Sequence, residues 1–156
     1  MNFKPILLVA GEPNSVFLEI FFKASKNIKI KSPLILIASL EVLNLQMNKL
    51  NFNKKIKIIN HKNLYSYKLD NKAINLIDVR YNPTKAFEKI TSKSKNYIEN
   101  CFKTAIEIIN SGYTNKLING PISKKHFLNK RFPGITEYLA DKFKKKKIAM
   151  LIYNKK

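Results

Sequence analysis

The sequence of 156 residues has little glycine, proline and cysteine, and it has no tryptophan. Four glycines and six prolines are too few for a collagen-like or low-complexity chain. The single cysteine, Cys101, excludes an intramolecular disulfide, so nothing points to secretion. No apolar run approaches the ~18 residues that span a membrane, and the run at residues 6–10 is too short for the core of a signal peptide. We therefore expect a cytoplasmic protein with no membrane partner.

Acidic residues are also scarce. The sequence has ten aspartates and glutamates but 30 lysines and arginines, which gives a formal net charge of +20. Such an excess is typical of proteins that bind nucleic acid or an anionic membrane surface. However, only Arg80 and Arg131 are arginines, and lysine lacks the planar fork that reads guanine. The densest basic run, at residues 142–147, lies where a helix is predicted to end, and lysines suit the negative end of the helix dipole. We therefore interpret the positive charge as a consequence of amino-acid composition on a solvent-exposed surface, and we regard nucleic acid as an unlikely partner.

Short apolar runs and helical patterns alternate along the chain, and 45% hydrophobic residues are enough to fill a core. The runs that predict strands lie at residues 5–10, 33–38, 55–58, 74–79, 117–118 and 148–153. The spacing that predicts helices lies at residues 16–24, 40–50, 97–109, 124–129 and after residue 134. Strands that alternate with helices indicate an α/β fold, a layered α/β/α domain with a mostly parallel sheet.

No internal repeat and no linker rich in proline, glycine or serine divides the chain, so residues 1–156 are predicted to form a single α/β unit. Ser39 is a predicted N-cap, and Gly112 is the predicted C-terminal cap of the longest helix. In the first helix, five residues recur at helical spacing, namely Val16, Phe17, Ile20, Phe21 and Ala24. A final strand at residues 148–153 would usually lead into another helix, which makes the sequence look interrupted.

The first strand ends in a turn at Gly11 and Glu12, just before a helix. In open parallel sheets, ligands bind at the carboxyl ends of the strands. Gly11 lets the backbone turn sharply, and the free N–H groups at the start of the helix can bind an anion. The dinucleotide fingerprint G-x-G-x-x-G and a P-loop lysine are both absent from the turn. The turn is therefore either an edge of a phosphate or active site, or an ordinary strand-to-helix turn with Pro13 near the first helical position.

Two further turns follow or flank predicted strands. In the turn from Asn119 to Lys124, the lysine could meet a phosphate as a point charge, or it could be one more surface lysine. Thr136 lies near the start of the last helix, where its hydroxyl could face a phosphate or could serve only as a cap. Because carboxyl ends of parallel strands share one edge of a sheet, we predict that all three turns converge there.

No catalytic or metal-binding set stands out. His61 and His126 are far apart, and neither has ligand spacing to a cysteine or a carboxylate, which argues against a zinc site. No Ser/His/Asp set has a recognisable local signature. Cys101 lies on the apolar face of the longest helix and is most simply a core thiol. We therefore assign no catalytic residue and no metal ligand to this chain.

In their order and separation, the three turns resemble the N-terminal half of the PdxA family, the 4-hydroxythreonine-4-phosphate dehydrogenases of vitamin B6 synthesis. The family's first turn, G-[D/E]-P-x-G-x-G-P-E, is matched at Gly11, Glu12, Pro13 and Glu19, while Ser15, Phe17 and Leu18 depart from it. Its second motif, T-G-P-[I/V]-x-K, is similar to Asn119, Gly120, Pro121, Ile122 and Lys124. The third, F-x-G-H-T-E-[F/Y]-L-A, is matched at Phe132, Gly134 and residues 136–140.

This resemblance implies a two-domain α/β/α enzyme similar to isocitrate and isopropylmalate dehydrogenases, with residues 1–156 as its N-terminal half and the C-terminal half absent. It implies a homodimer that oxidises and decarboxylates a small phosphorylated amino acid, 4-phosphohydroxy-L-threonine, with NAD(P). A divalent metal held by histidines, such as zinc, magnesium or cobalt, would polarise the reacting oxygen. The family's metal ligands and most of its cofactor-binding residues lie beyond the matching segment, so we expect the isolated chain to be inactive. We also expect it to be poorly soluble, because it would expose the apolar surface that the other half covers.

The third motif departs from the family at one position. The family's histidine and threonine contact the substrate, but here Ile135 precedes Thr136. Isoleucine neither donates nor accepts a hydrogen bond, so one polar contact is lost or comes from elsewhere. Beside an incomplete dehydrogenase, two alternatives stay open: a basic nucleic-acid-binding α/β module, and a non-catalytic half-domain that binds a phosphorylated ligand.

Overall fold

The computed structural model describes residues 3–154, which form a parallel sheet between two layers of helices. The strands are β1 (Ile6–Val9), β2 (Leu34–Ala38), β3 (Ile56–Ile58), β4 (Ile74–Asp78) and β5 (Leu117–Asn119). The helices are α1 (Phe17–Asn27), α2 (Leu40–Lys49), α3 (Lys95–Asn110) and α4 (Ile135–Lys142). Two 3₁₀ turns lie at His61–Ser66 and Ser92–Ser94, and a π-helical turn lies at Lys124–Leu128. Over residues 3–154, no helix combines the length and the apolar character needed to cross a bilayer.

The sheet has the strand order β3-β4-β2-β1-β5, and every neighbouring pair is parallel. Strands β2, β4 and β3 lie on one side of β1, and β5 lies on the other side. In the β1–β5 pair, Val9 is opposite Asn119. The order therefore reverses beside β1, and such a switch point leaves a crevice at the carboxyl ends of the two strands. The predicted layered α/β/α fold is confirmed, and its crevice lies between β1 and β5.

Alternate residues of the three central strands, β1, β2 and β4, fill two separate cores. On one face, Leu7, Val9 and Ile35 pack with the buried side of α3 and with α4. On the other face, Leu8 and Leu36 pack with the buried sides of α1 and α2. Successive strand residues point to opposite faces, so a strand covered on both faces needs an uninterrupted apolar run. The continuous runs in the sequence therefore predicted these strands correctly.

Both predicted helix caps are confirmed. The Ser39 hydroxyl oxygen accepts a hydrogen bond from the backbone N–H of Val42 at 3.4 Å, at the start of α2. Gly112 follows α3 with a φ of +78°, and its N–H donates to the carbonyl of Ile109 at 3.0 Å. These two residues set where the neighbouring helices begin and end, because they satisfy backbone groups that a helix terminus leaves free.

Helix α1 buries a face that only partly overlaps the one that its sequence spacing predicts. Of the predicted residues, Phe21 is buried and Phe17 packs against the core. Val16 precedes the helix and Ile20 lies in its first turn, and both side chains are more than half exposed. The prediction is wrong for these two residues, because the side chains that meet the sheet lie three and four residues apart from Leu18 onward.

The predicted last strand, at residues 148–153, is also wrong. The segment carries no strand pairing, and its large side chains are exposed, with Leu151 at 92%. An extended apolar segment becomes a strand only when another strand accepts its backbone hydrogen bonds. Within residues 3–154, no strand pairs with this segment, so its apolar pattern alone does not create one.

Candidate functional site

The first two predicted turns meet at the crevice between β1 and β5. The backbone N–H of Glu12 donates to the carbonyl of Pro121 at 2.9 Å, and the N–H of Gly120 donates to the carbonyl of Val9 at 2.7 Å. These bonds continue the β1–β5 ladder past the ends of both strands. The convergence of these two turns, predicted from the sequence, is therefore confirmed.

Two glycines allow the turns to approach so closely. Gly11 has a φ of +72°, a left-handed conformation that side chains rarely adopt, and a Cβ there would also lie 3.0 Å from the carbonyl oxygen of Gly120. A Cβ on Gly120 would lie 2.8 Å from Cγ of Phe17 and 2.9 Å from the carbonyl carbon of Ala10. At the floor of the crevice, the backbones of the two turns are therefore in direct contact and leave no space for a methyl group at either glycine.

Glu12 places a carboxylate under this floor. Its side chain is only 2% exposed. Its Oε2 accepts a hydrogen bond from the Ser94 hydroxyl at 2.9 Å, and its Oε1 accepts one from the backbone N–H of Asn14 at 3.4 Å. Ser94 ends the 3₁₀ turn before α3, 82 residues away in the chain. Glu12 therefore ties the first turn to the start of the longest helix.

Burial raises the pKa of the Glu12 carboxyl above its ordinary value of 4.5. The hydrogen bonds from Ser94 and Asn14 and the charge of His126 oppose this shift, because they favour the ionised form. Folding therefore favours the protonated carboxyl. The stability that this provides is complete below pH 4.5 and is lost as the pH rises through the pKa of the folded protein.

We expect the variant Glu12→Gln to gain stability relative to the wild type as the pH rises from below 4.5 to neutrality. Glutamine keeps an oxygen that accepts from Ser94, but it carries no charge to bury. Urea unfolding of both proteins across this pH range measures the difference. Glu41→Gln is the matched control for loss of a negative charge, because Glu41 is an exposed residue of α2 that takes part in none of the ion pairs of residues 3–154. Parallel pH profiles for wild type and Glu12→Gln would contradict the assignment.

The second turn begins beside the crevice at Asn119, which pairs with Val9, and leads to Lys124 at the start of the π-helical turn. The Asn119 side-chain amide donates to the carbonyl of Gly120 at 3.1 Å, which braces the turn locally. The Ser123 hydroxyl oxygen accepts from the N–H of His126 at 3.2 Å and caps the π-helical turn. Lys124 begins this turn and is exposed. The predicted lysine is thus free to meet an anion, although a role in binding stays a prediction.

The third predicted turn opens α4, and Gly134 is the N-cap residue there. The interpretation of Thr136 as a cap is therefore wrong, because it is the second residue of the helix and Gly134 takes the cap position with no side chain. Thr136 is half-buried. Ile135 packs against the core cluster beneath α3, so this side chain fills space instead of presenting a polar group.

Helix α4 is held to the second turn by aromatic side chains. The ring of Tyr138, 5% exposed, lies 5.2 Å from Phe127 of the π-helical turn and 5.5 Å from both Phe102 and Phe132, between ring centres. We call Phe102, Phe127, Phe132 and Tyr138 the aromatic cluster. It connects Thr136 to the segment that follows Lys124, while a shared site for Thr136 and Gly11 stays a prediction.

The described residues do not form a metal site. Between residues 3 and 154, no three histidine, cysteine, aspartate or glutamate side chains lie close enough together to hold a metal ion. His61 lies 3.6 Å from the carboxylate of Glu107, on the surface of α3, and His126 lies near Glu12. The donor groups of this part of the chain therefore do not fit the divalent metal that the family resemblance implies.

Sequence reasoning missed Ser94 as the partner of Glu12. Only its place before a helical pattern marks it, and a serine there is ordinarily a helix cap. The structure shows no side-chain cap bond for Ser94 at α3; instead its hydroxyl group, which has one proton, lies within hydrogen-bond distance of two acceptors, Glu12 Oε2 at 2.9 Å and the carbonyl of Thr91 at 3.2 Å. No spacing rule in the sequence could have joined two residues so far apart.

A three-layer domain with a parallel sheet and a crevice at the switch point belongs to the open α/β class, in which ligands ordinarily bind at the carboxyl edge of the sheet. The sequence matches the family described as "Pyridoxal phosphate biosynthetic protein PdxA" over residues 29–156. The chain therefore belongs to the PdxA family. The first motif, at Gly11 and Glu12, precedes the matched residues. No curated protein matches the sequence.

Solved structures share the fold at low sequence identity. A 4-hydroxythreonine-4-phosphate dehydrogenase from Burkholderia phymatum is 20% identical, with a TM-score of 0.77 over 89% of this chain and 43% of its own. A protein from Salmonella typhimurium assigned the same activity is 22% identical, with a TM-score of 0.81 over 97% of this chain and 48% of its own. The Klebsiella pneumoniae dehydrogenase is 20% identical, with a TM-score of 0.73 over 88% and 44%. The chain spans less than half the length of each.

Proposed function

We propose that this chain supplies the N-terminal half of a two-domain PdxA enzyme, which uses NAD to oxidise 4-phosphohydroxy-L-threonine in vitamin B6 synthesis. The observation that carries the proposal is the family match over residues 29–156. In this reaction the secondary alcohol gives up a hydride to NAD and a proton to the medium, and the resulting β-keto acid loses carbon dioxide. We place the enzyme in the cytoplasm, as a homodimer.

In this proposal the chain contributes substrate-holding groups. The Thr136 hydroxyl lies in the first turn of α4, where free backbone N–H groups add further donors. Gly11 and Glu12 shape the crevice beside β1, and Lys124 offers a positive charge. The metal ligands and most contacts to NAD are assigned to the remainder of the enzyme, so residues 1–156 alone bind the substrate without turning it over.

Ile135 weakens that binding. It occupies the position where the family has histidine, and its side chain packs against the core cluster under α3. A hydrogen bond to a charged group is worth about 1.5–3 kcal/mol, so the missing histidine costs roughly tenfold or more in affinity. The substrate site of this chain is therefore weaker than that of a family member with histidine.

The test uses the purified 156-residue chain with 4-phosphohydroxy-L-threonine. Calorimetric titration is expected to show weak binding, and NADH absorbance is expected to show no oxidation with NAD and either zinc or magnesium. Thr136→Val removes the hydroxyl at nearly constant volume and should weaken binding about fivefold or more. Thr136→Ser keeps the hydroxyl and serves as the matched control.

Three results would contradict the proposal. Metal-dependent turnover by the isolated chain would show that its active site is complete. Absence of any substrate binding would remove the substrate-holding role. Equal binding by wild type and Thr136→Val would show that the hydroxyl does not touch the ligand.

The nucleic-acid alternative gains little from the distribution of charge. Exposed lysines lie on both helical layers, including Lys23 and Lys49 on one side of the sheet and Lys103 and Lys142 on the other. A surface that tracks a nucleic-acid backbone concentrates its positive charge on one face or along one groove. The scattered lysines therefore favour a metabolic domain with a lysine-rich composition.

A further inference from the structure

A cavity of about 690 Å³ lies between the start of α3 and the π-helical turn. Its basic lining residues are Lys95 on α3 and Lys124, Lys125, His126 and Lys130 around the π-helical turn. Ser92, Asn129 and Phe132 complete the wall. The volume is that of a small-ligand site, for which roughly 300–1,000 Å³ is usual. We call this the lysine cavity.

The lysine cavity concentrates positive charge without any carboxylate in its lining. Among the ion pairs of residues 3–154, none involves Lys95, Lys124, Lys125 or Lys130. Most other lysines of residues 3–154 also lack an ion pair, but outside the cavity solvent and salt screen their charges more fully. Four ammonium groups around one concave space repel one another and attract an anion of several charges much more strongly than one charge alone.

The backbone holds these lysines together. The N–H of Asn129 donates to the carbonyl of Lys124 at 3.1 Å and closes the π-helical turn. Asn129 and Lys130 then adopt positive φ values of 47° and 61°, which are uncommon for residues other than glycine. Two successive left-handed residues turn the chain sharply, so that Lys130 lines the same cavity as Lys124 and Lys125. The backbone positions of these lysines are thus set before a ligand arrives.

The chemistry of the lining selects among anions. A single phosphate carries at most two charges and would leave most of the cavity charge unbalanced. A diphosphate or triphosphate group has more charge and more acceptor oxygens to contact several ammonium groups at once. A nucleic acid would need an open groove with contacts spread along its backbone, not one compact concavity.

We propose that the lysine cavity binds a small ligand bearing two or more linked phosphate groups. This inference shares Lys124 with the proposed substrate-holding role, but it rests on the lining of the cavity, and its test uses inorganic anions instead of the dehydrogenase substrate. The half-exposed ring of Phe132 and the alkyl stems of the lysines give the wall apolar surface that can contact an uncharged part of such a ligand.

The test titrates the full chain with inorganic diphosphate, tripolyphosphate and orthophosphate at one fixed ionic strength. We expect diphosphate and tripolyphosphate to bind at least about tenfold more tightly than orthophosphate. The combined variant Lys124→Gln, Lys125→Gln, Lys130→Gln should lose at least about tenfold in diphosphate affinity. These exposed positions tolerate glutamine, and circular dichroism of each variant confirms that the fold is kept.

The matched control is Lys144→Gln, Lys146→Gln, Lys147→Gln, which removes the same charge from exposed positions outside the cavity. Its diphosphate affinity should change by less than about threefold. Equal losses in the two variants would overturn the proposal, because they would show attraction to net charge alone. Tighter binding of a single-stranded oligonucleotide than of tripolyphosphate, reduced equally in both variants, would also overturn it and indicate a diffuse nucleic-acid surface.

Discussion

Replacing Gly120 by alanine is expected to destabilise the domain by about 3 kcal/mol or more, a large part of the 5–15 kcal/mol that stabilises a typical domain. The added methyl group would press against the backbone of Ala10 and the ring of Phe17, which lie within 3 Å of the Cβ position. The backbone contact cannot relax by a change of rotamer, so β5 must move away from β1. Thermal unfolding should show a loss of roughly 10 °C.

The other glycines provide controls that separate crowding from backbone conformation. Gly112 has a φ of +78° but no atom within 4 Å of its Cβ position, so Gly112→Ala should cost only about 1–2 kcal/mol. Gly11→Ala combines a φ of +72° with contacts to the backbone of Gly120 and Pro121, so it should be at least as damaging as Gly120→Ala. A mild effect of Gly120→Ala, similar to that of Gly112→Ala, would contradict the close approach of the two turns.

Replacing Tyr138 by alanine is expected to cost about 3–5 kcal/mol and to loosen α4 selectively. The side chain is buried against the three phenylalanines of the aromatic cluster, and alanine would leave a cavity that these rings cannot fill. Urea unfolding measures the global loss, and hydrogen exchange of the amides of α4 reports the local one. Exchange in α2, on the opposite layer, should follow only the global change.

Tyr138→Phe is the matched control for this substitution. Burial raises the pKa of the Tyr138 hydroxyl to about 12, so the side chain is neutral throughout the physiological range and its ring provides the packing. Removal of the hydroxyl should therefore change the free energy of unfolding by less than about 1 kcal/mol. A loss as large as that of Tyr138→Ala would show that the hydroxyl, not the ring, anchors α4.

The centre of the sheet could be predicted because β1, β2 and β4 are covered on both faces. Such strands need continuous apolar runs, and the runs that begin at Pro5 and Pro33 have no other ready explanation. Residues 148–153 have the same pattern but lack a pairing partner among residues 3–154. Pairing is a tertiary property, and a run of apolar residues does not encode it.

The candidate site was predicted in part. Turns at the ends of strands could be expected to meet, and Gly11 and Gly120 do so. The hydrogen bond between Ser94 and Glu12 could not be predicted, because it joins residues whose separation carries no periodic signal. The lysine cavity was hidden for another reason: with so many lysines in the chain, those at positions 95, 124, 125 and 130 have no feature in the sequence that distinguishes them.

The position of β5 has a consequence for the order of folding. The four strands β1 to β4 lie within residues 6–78, so most of the sheet can assemble from the first half of the chain. The crevice, in contrast, requires Pro121 to reach Glu12 across more than a hundred residues, and such long-range contacts carry the greatest entropic cost of loop closure. During synthesis, β1 to β4 emerge from the ribosome before β5, so a sheet assembled from these four strands would have an unpaired β1 edge. We therefore expect ligand binding to be among the last properties that the nascent chain acquires, and the uncovered edge of β1 to be where chaperones engage it.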